Sequence, residues 1–235
     1  MSAPVVSCVI AVFNGEKYLR EAIDSVLAQT WQPTELVVVD DGSLDSSAAI
    51  AASYGPRLRL LRQANAGVSV ARNAGVVASS GQILCFLDAD DWLESDKIEQ
   101  QVARLGAEPA LDFCDCQSRN FWSPELDAER LQREHRHREF IDRLDHGHIS
   151  TWLMRRSLFE SVGGFTPGMT YSEDIDFLSR CRDGGMRGAT LPAALTWRRL
   201  HDANATSGDA AMQGAALAAT MKAHLDRLRA LKARG

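Results

Sequence analysis

Four apolar runs, alternating with helical stretches in the first ninety residues, constrain the fold of this chain more than any other feature. Val5 to Val12 is rich in β-branched residues and apolar almost throughout. That pattern suits a strand of a parallel sheet covered on both faces. Phe13-Asn14-Gly15 breaks it, and Leu19, Ala22, Ile23, Val26 and Leu27 then recur at the spacing of one helix face. A second strand is expected at Glu35 to Val39, a helix at Ser47 to Tyr54 capped by Asp45 or Ser46, and a third strand at Leu58 to Leu61. Ser69 to Ser79 reads as a helix carrying Arg72 and Asn73, and Gln82 to Leu87 as the fourth strand. Repeated β-α units imply an α/β fold with a mostly parallel sheet flanked by helices.

In such sheets ligands bind outside the carboxyl ends of the strands. Three of the four strands deliver polar residues there: Asn14 after the first, Asp40 and Asp41 after the second, Asp88 and Asp90 after the fourth. The last group, Phe86-Leu87-Asp88-Ala89-Asp90-Asp91, places three carboxylates at the end of a buried run. Like charges that close repel unless a cation or solvent relieves them. Oxygen ligands suit hard cations, and Mg²⁺ is usually held by one or two carboxylates together with substrate phosphates. Asp88-Ala89-Asp90 therefore reads as a metal-diphosphate site. The plainer alternative is that Asp90 or Asp91 caps a helix near Asp96.

Composition sets the outer limits. With 235 residues, 45% hydrophobic and 24% charged, the chain suits one large globular domain or two small ones. A formal net charge of -5 and the lack of a Lys/Arg cluster argue against a nucleic-acid partner. No apolar stretch reaches a membrane-spanning length, and Met1-Ser2-Ala3-Pro4 does not begin a signal peptide. Cys8 and Cys85 lie in apolar runs, while Cys114-Asp115-Cys116 has no matching second pair, so structural zinc is not expected. A cytoplasmic setting fits this cysteine usage. There is no G-x-G-x-x-G after the first strand and no P-loop sequence, which disfavours a Rossmann dehydrogenase or P-loop enzyme.

The second half is less regular. Leu111 to Cys116 and Ser150 to Met154 suggest strands, Arg155 to Val162 a short helix, and Leu195-Thr196-Trp197 another strand. The stretch from Pro124 to Leu144 is dense in charge, and its His135 and His137 alternate with arginines, which suits a solvated segment better than a metal site. Tyr171 to Arg180 opens a helix whose first turn carries Glu173 and Asp174. Acids there suit the helix dipole, and a carboxylate at such an end is also placed to act as a general base. Ala210 to Lys232 is an Ala-rich helix with Leu217, Met221, Leu225 and Leu228 as an apolar stripe and a basic end. Packing on its own domain is the expected role, with a membrane-surface or homodimer role second.

These separated motifs, taken in order, resemble glycosyltransferase family 2, inverting sugar-nucleotide-dependent enzymes of the GT-A fold. The resemblance covers residues 4–206. It rests on Val9 to Gly15, Glu35 to Ser43, Asn65-Ala66-Gly67 with Ala71-Arg72-Asn73-Ala74-Gly75, the D-x-D of Phe86 to Asp91, and Ser172-Glu173-Asp174 preceded by Gly163-Gly164-Phe165. It implies one domain over residues 1–206, with a nucleotide-sugar half at about 4–110 and an acceptor half at 111–206, followed by a C-terminal amphipathic helix at 207–235. Ala11, Phe13 and Glu16 would line the nucleoside pocket, Asp41 would bond the base with Asp40 behind it, and Arg72 would approach the base or diphosphate. Asp88 and Ala89 would lie at the ribose, Asp90 would bind Mg²⁺ or Mn²⁺, and His201 would reach the metal or phosphates. Asp174 would be the general base and Glu173 would orient it or bind acceptor.

The implied donor is a nucleoside-diphosphate sugar, most commonly UDP-linked in this family. The implied acceptor is a hydroxyl of a glycan or lipid-linked saccharide, on an enzyme that is soluble or attached to the inner face of a membrane. Two other readings stay open. A sugar nucleotidyltransferase would need a Gly-rich basic loop after the first strand, and Phe13-Asn14-Gly15-Glu16 is not one. A non-catalytic scaffold of the same fold would not release UDP from a supplied donor.

Overall fold

A computed structural model of the chain describes residues 3–123, 147–201 and 210–232. Its strands are β1 (Val6–Val12), β2 (Thr34–Asp40), β3 (Arg59–Arg62), β4 (Ile83–Asp88), β5 (Trp92–Leu93), β6 (Phe113–Trp122), β7 (Leu153–Arg155) and β8 (Gly188–Leu200). They form one sheet in the order β3-β2-β1-β4-β7-β6-β8-β5. Its helices are α1 (Leu19–Leu27), α2 (Ser47–Ala52), α3 (Val68–Val77), α4 (Lys97–Ala107), α5 (Arg156–Ser161), α6 (Glu173–Asp183) and α7 (Ala210–Lys232).

The parallel core is β3-β2-β1-β4, and its register explains why polar residues converge. Val12 pairs with Asp40 and Ala11 with Asp88, so the two acidic strand ends flank the end of β1 at one level. Side chains of β1 alternate between faces. Val6, Cys8, Ile10 and Val12 pack with Leu19, Ile23 and Val26 of α1 and Ile98 and Leu105 of α4. On the opposite face Val9, Leu84 and Phe86 meet Trp152, Phe159 of α5 and Phe177 of α6. Each such aliphatic or aromatic side chain contributes about 1.5–3 kcal/mol on full burial. α3 lies very close to the sheet, since a Cβ on Gly75 would sit 2.4 Å from Val9 Cγ1. The close approach explains why glycine occupies this helix position, where it otherwise costs stability.

The expected first-half elements appear within a residue or two of their anticipated ends. The second half differs more. Asp90 and Asp91 do not cap a helix. They lead into β5, where Trp92 pairs with Trp197 of β8 and the two rings stack at 5.0 Å. α4 starts later, with Asp96 at its N-cap position. Instead of a strand from Ser150, Ile149–Thr151 forms a 3₁₀ turn and β7 begins at Leu153. β6 and β8 are longer than expected. Exposed and half-buried residues alternate along the start of β8, Leu195, Thr196 and Arg199 are buried further on, and the strand pairs in parallel with β6. That pairing carries register shifts between Asp115 and Ser118.

α7 docks on α6 through polar contacts. Arg227 Nε donates to Asp183 Oδ2 at 2.9 Å and its Nη2 donates to Ser179 Oγ at 2.6 Å. Met212, Leu217, Met221 and Leu225 remain exposed on it. No described helix is long and apolar enough to cross a membrane. The charge-dense stretch from Pro124 to Leu144, with His135 and His137, lies outside the described residues.

Candidate active site

A cavity of about 990 Å³ opens at the carboxyl ends of β1 and β4. Its wall includes Ala11, Phe13, Asn14, Arg72, Asp88, Ala89, Asp90, Asp91, Glu173, Asp174, Arg198 and His201. Nine of the residues singled out from sequence therefore reach one space: Ala11, Phe13, Arg72, Asp88, Ala89, Asp90, Glu173, Asp174 and His201. Asn14 and Ser172 are the non-glycine residues with positive φ among those described, at 52° and 64°, and both line the cavity. A non-glycine residue persists in that region only when its surroundings hold it there, and such residues cluster at functional sites.

Three expected residues are not at the wall. Glu16, Asp40 and Asp41 are absent from the described lining, and their carboxylates are engaged by the protein itself. Glu16 Oε2 accepts from Ser46 N at 2.8 Å. Asp40, fully buried, accepts from Ser43 N and from Arg62 Nε, both at 3.1 Å. Asp41 accepts from Gln63 Nε2 at 2.6 Å, Ala66 N at 3.0 Å and Gly67 N at 2.9 Å. Here the acids brace the turns around the end of β2. Ser43 N is a local turn contact, three residues from Asp40, but the backbone donors to Asp41 and Glu16 lie 25, 26 and 30 residues away along the chain, where sequence could not reveal them.

The fourth strand behaves differently. Ligand-capable oxygens of Asp88, Asp90 and Asp91 all lie within 4.8 Å of one another. Oxygens sharing one Mg²⁺ at about 2.0–2.1 Å are about 3–4 Å apart, so only a small contraction would be needed. An all-carboxylate donor set with an imidazole beside it fits a hard divalent cation. Asp90 Oδ2 lies 2.9 Å from His201 Nε2. Asp91 is buried and accepts from Arg199 N at 3.0 Å and Ser150 Oγ at 2.9 Å. Burial pushes its carboxyl well above the usual range, and the charges of Asp90 and Asp88 push the same way.

Arg72 joins this turn to α6. From the buried face of α3 its Nη2 donates to Asp88 Oδ1 at 2.7 Å and its Nη1 to Glu173 Oε1 at 2.9 Å. Burial disfavours the guanidinium cation, but Asp88 and Glu173 more than offset this and raise its pKa. Next to it, Asn73 clamps the Gly163-Gly164-Phe165 turn: its Nδ2 donates to Phe165 O at 2.8 Å and its Oδ1 accepts from Phe165 N at 2.9 Å. Asp174, in the first turn of α6, accepts from Ile175 N through Oδ1 at 2.7 Å. Burial raises its carboxyl above the ordinary value, and the neighbouring Glu173 charge adds to the effect. Sequence reasoning placed Asn73 in the Ala71–Gly75 motif without a role, and missed Ser150 and Arg199 as parts of this frame. The only signals were an Asn beside Arg72 and an Arg two residues before His201.

The sequence model of glycosyl transferase family 2 matches residues 7–163. The uncharacterized glycosyltransferase EpsJ of Bacillus subtilis is 32% identical over 191 residues, covering 74% of this chain and 53% of that protein. The chain spans about half the length of the curated relatives it matches. Among solved structures, S. aureus TarS in complex with UDP-GlcNAc superposes with a TM-score of 0.70 at 18% identity, over 87% of this chain and 61% of that one. The mannosyltransferase PcManGT of Pyrobaculum calidifontis, in complex with GDP-Man and Mn²⁺, gives 0.68 at 21% identity over 88% and 60%. The architecture is thus the GT-A fold of these glycosyltransferases, with its single sheet flanked by helices. The family's sequence pattern runs through β1, the acidic turn after β4 and the glycine turn before Phe165, and the chain belongs to glycosyl transferase family 2.

Proposed function

We propose that this chain transfers a sugar, with inversion, from a nucleoside-diphosphate sugar to a hydroxyl of a glycan or lipid-linked saccharide. The observation that carries this reading is the double bridge of Arg72, which draws the Asp88–Asp91 turn and the Glu173–Asp174 helix end into one cavity. UDP-GlcNAc and GDP-Man in the two solved structures support a nucleotide-sugar donor of this type.

Ala11 and Phe13 form the nucleoside side of the pocket, and Glu16, Asp40 and Asp41 hold its loops in shape. Asp88 and Ala89 lie at the ribose. Asp90, with Asp88 and His201, would hold a Mg²⁺ or Mn²⁺ ion, which neutralises charge on the departing diphosphate. Asp174 takes the proton of the attacking acceptor hydroxyl at Oδ2, the oxygen not engaged by Ile175 N. Its raised pKa makes it a better base for that step, and such assistance is worth about 10²–10⁴-fold. Glu173 is fixed by Arg72 and orients the first turn of α6.

A calorimetric and thermal-shift screen of UDP and GDP, each with Mn²⁺, Mg²⁺ or EDTA, tests the donor half. A ligand at about 100 Kd should add about 2.7 kcal/mol of stability. Metal-dependent stabilisation by one of them is expected and names the donor class. Stabilisation by neither would overturn the transferase reading in favour of a scaffold.

A further inference from the structure

Arg199 is a charged residue only 5% exposed, set behind the acidic turn rather than in the cavity wall. Its guanidinium is held between two rings, 4.3 Å from the centre of Tyr18 and 4.5 Å from that of Phe121. Its Nη2 donates to Glu21 of α1, which neutralises the cation on its outer side. Its Nε donates inward, to the backbone oxygen of Asp90 at 3.0 Å. Its own backbone N donates to Asp91 Oδ1 at 3.0 Å. Two residues further on, His201 Nε2 faces Asp90 Oδ2, and the His201 ring rests 4.9 Å from the Tyr18 ring that Arg199 also touches.

One side chain thus fixes Asp90 at its main chain and anchors the strand end that carries Asp90's imidazole neighbour. Arg72 holds the turn at Asp88 and Ser150 holds it at Asp91, and Arg199 reaches the residue between them. Among the described residues β5, which follows it, is two residues long and pairs with β8 alone. We infer that Arg199 is a positioning residue that sets how tightly the acidic turn holds its cation. Since Glu21 cancels the charge, the effect is geometric: the planar fork holds the Asp90 carbonyl and Glu21 at once, which a lysine ammonium cannot reproduce. The inference rests on the metal reading above, and its test separates the two.

The experiment is titration of Mn²⁺, alone and with UDP or GDP, followed by the electron paramagnetic resonance signal of free Mn²⁺, with thermal melts in parallel. Arg199→Lys keeps the charge and the stem. It is expected to melt cooperatively yet raise the Mn²⁺ Kd by about tenfold, the effect usual for groups that orient a metal ligand. Arg199→Met should raise it at least as much. Glu21→Gln, at an exposed position, should raise it by less and serves if neither Arg199 variant folds. Asp90→Ala is the reference: Mn²⁺ binding unchanged in that variant overturns the metal reading and this inference with it. Binding lost in Asp90→Ala but within twofold of wild type in cooperatively melting Arg199→Lys and Arg199→Met, or unchanged in Glu21→Gln where those do not fold, overturns the role of Arg199 alone.

Discussion

Two acidic turns end neighbouring strands on either side of β1, and the protein uses them in opposite ways. After β2, Asp40 and Asp41 point into the protein and meet Ser43 N, Arg62, Gln63, Ala66 N and Gly67 N. After β4, Asp88, Asp90 and Asp91 crowd within 4.8 Å and line the cavity, with Arg72 and His201 beside them. Residue type and place in the sheet are the same. What differs is how the carboxylates are covered: Ser43 N, Ala66 N and Gly67 N meet the first turn, while Arg199 N meets Asp91 in the second. The loop carrying Asn65, Ala66 and Gly67 folds over the first turn and satisfies it, helped by the positive φ of Gly42, where a Cβ would meet Asn65 N at 2.8 Å. The second turn keeps carboxylate oxygens facing the cavity, and repulsion among them is the feature a cation relieves. A carboxylate at a strand end is therefore enclosed by the protein or left lining the cavity according to which donors reach it.

The sharpest test adds a third kind of acid, one that belongs to neither turn. Asp174→Asn should lower kcat by about 10²–10⁴-fold while leaving donor affinity unchanged. Steady-state kinetics beside UDP or GDP titration would show it, and near-normal turnover would remove Asp174 from the base role. Next, Asp90→Ala should weaken Mn²⁺-dependent nucleotide binding by about 10²-fold, beyond the 10–100-fold typical of groups that merely orient a ligand. Its melting should move less than that of Asp41→Ala, because removing the carboxylate also relieves its repulsion with Asp88 and Asp91.

Asp41→Ala should do the reverse. It strands Gln63 Nε2, Ala66 N and Gly67 N, and at about 1–3 kcal/mol per buried group, softened where water enters, roughly 2–4 kcal/mol of stability should be lost. Chemical denaturation measures this, and an Asp41→Ala protein of wild-type stability would erase the distinction between the turns. The smallest effect is on pH dependence. Burial and Glu173 raise the Asp174 pKa, so the base is protonated and activity lost as pH falls through a value above that of an ordinary Asp. A kcat profile whose acidic limb lies at or below the ordinary Asp value would contradict this; the limb should vanish in Asp174→Asn.

The first four strands and their helices could be read from sequence because each is a contiguous signal. An apolar run such as Glu35 to Val39 or a helical stripe such as Leu19 to Leu27 carries its burial in its own residues. β5 carries no such run, and of β8 only the stretch at Leu195-Thr196-Trp197 reads as a strand. Trp92–Leu93 is a strand only because Trp197 and Thr196 lie opposite, about a hundred residues on. The site divides in the same way. Asp88, Asp90, Arg72 and Asp174 sit in short recognisable motifs, and the structure places all four around one cavity. Arg199 and Ser150 had no motif, since their partners Asp90, Asp91 and Asp88 N are distant in sequence.

The sequence by itself determined the alternation of strand and helix, the parallel half of the sheet and the stations of the acids at strand ends, because periodicity and burial are local properties of the chain. Tertiary structure alone decided which acids are braces and which face the cavity. It also decided that Arg72 ties Asp88 to Glu173, which lies 101 residues from Arg72 along the chain, and that Arg199 closes the back of the turn. A carboxylate's role depends on which donors and charges surround it, and those are supplied by segments that meet only when the sheet is assembled.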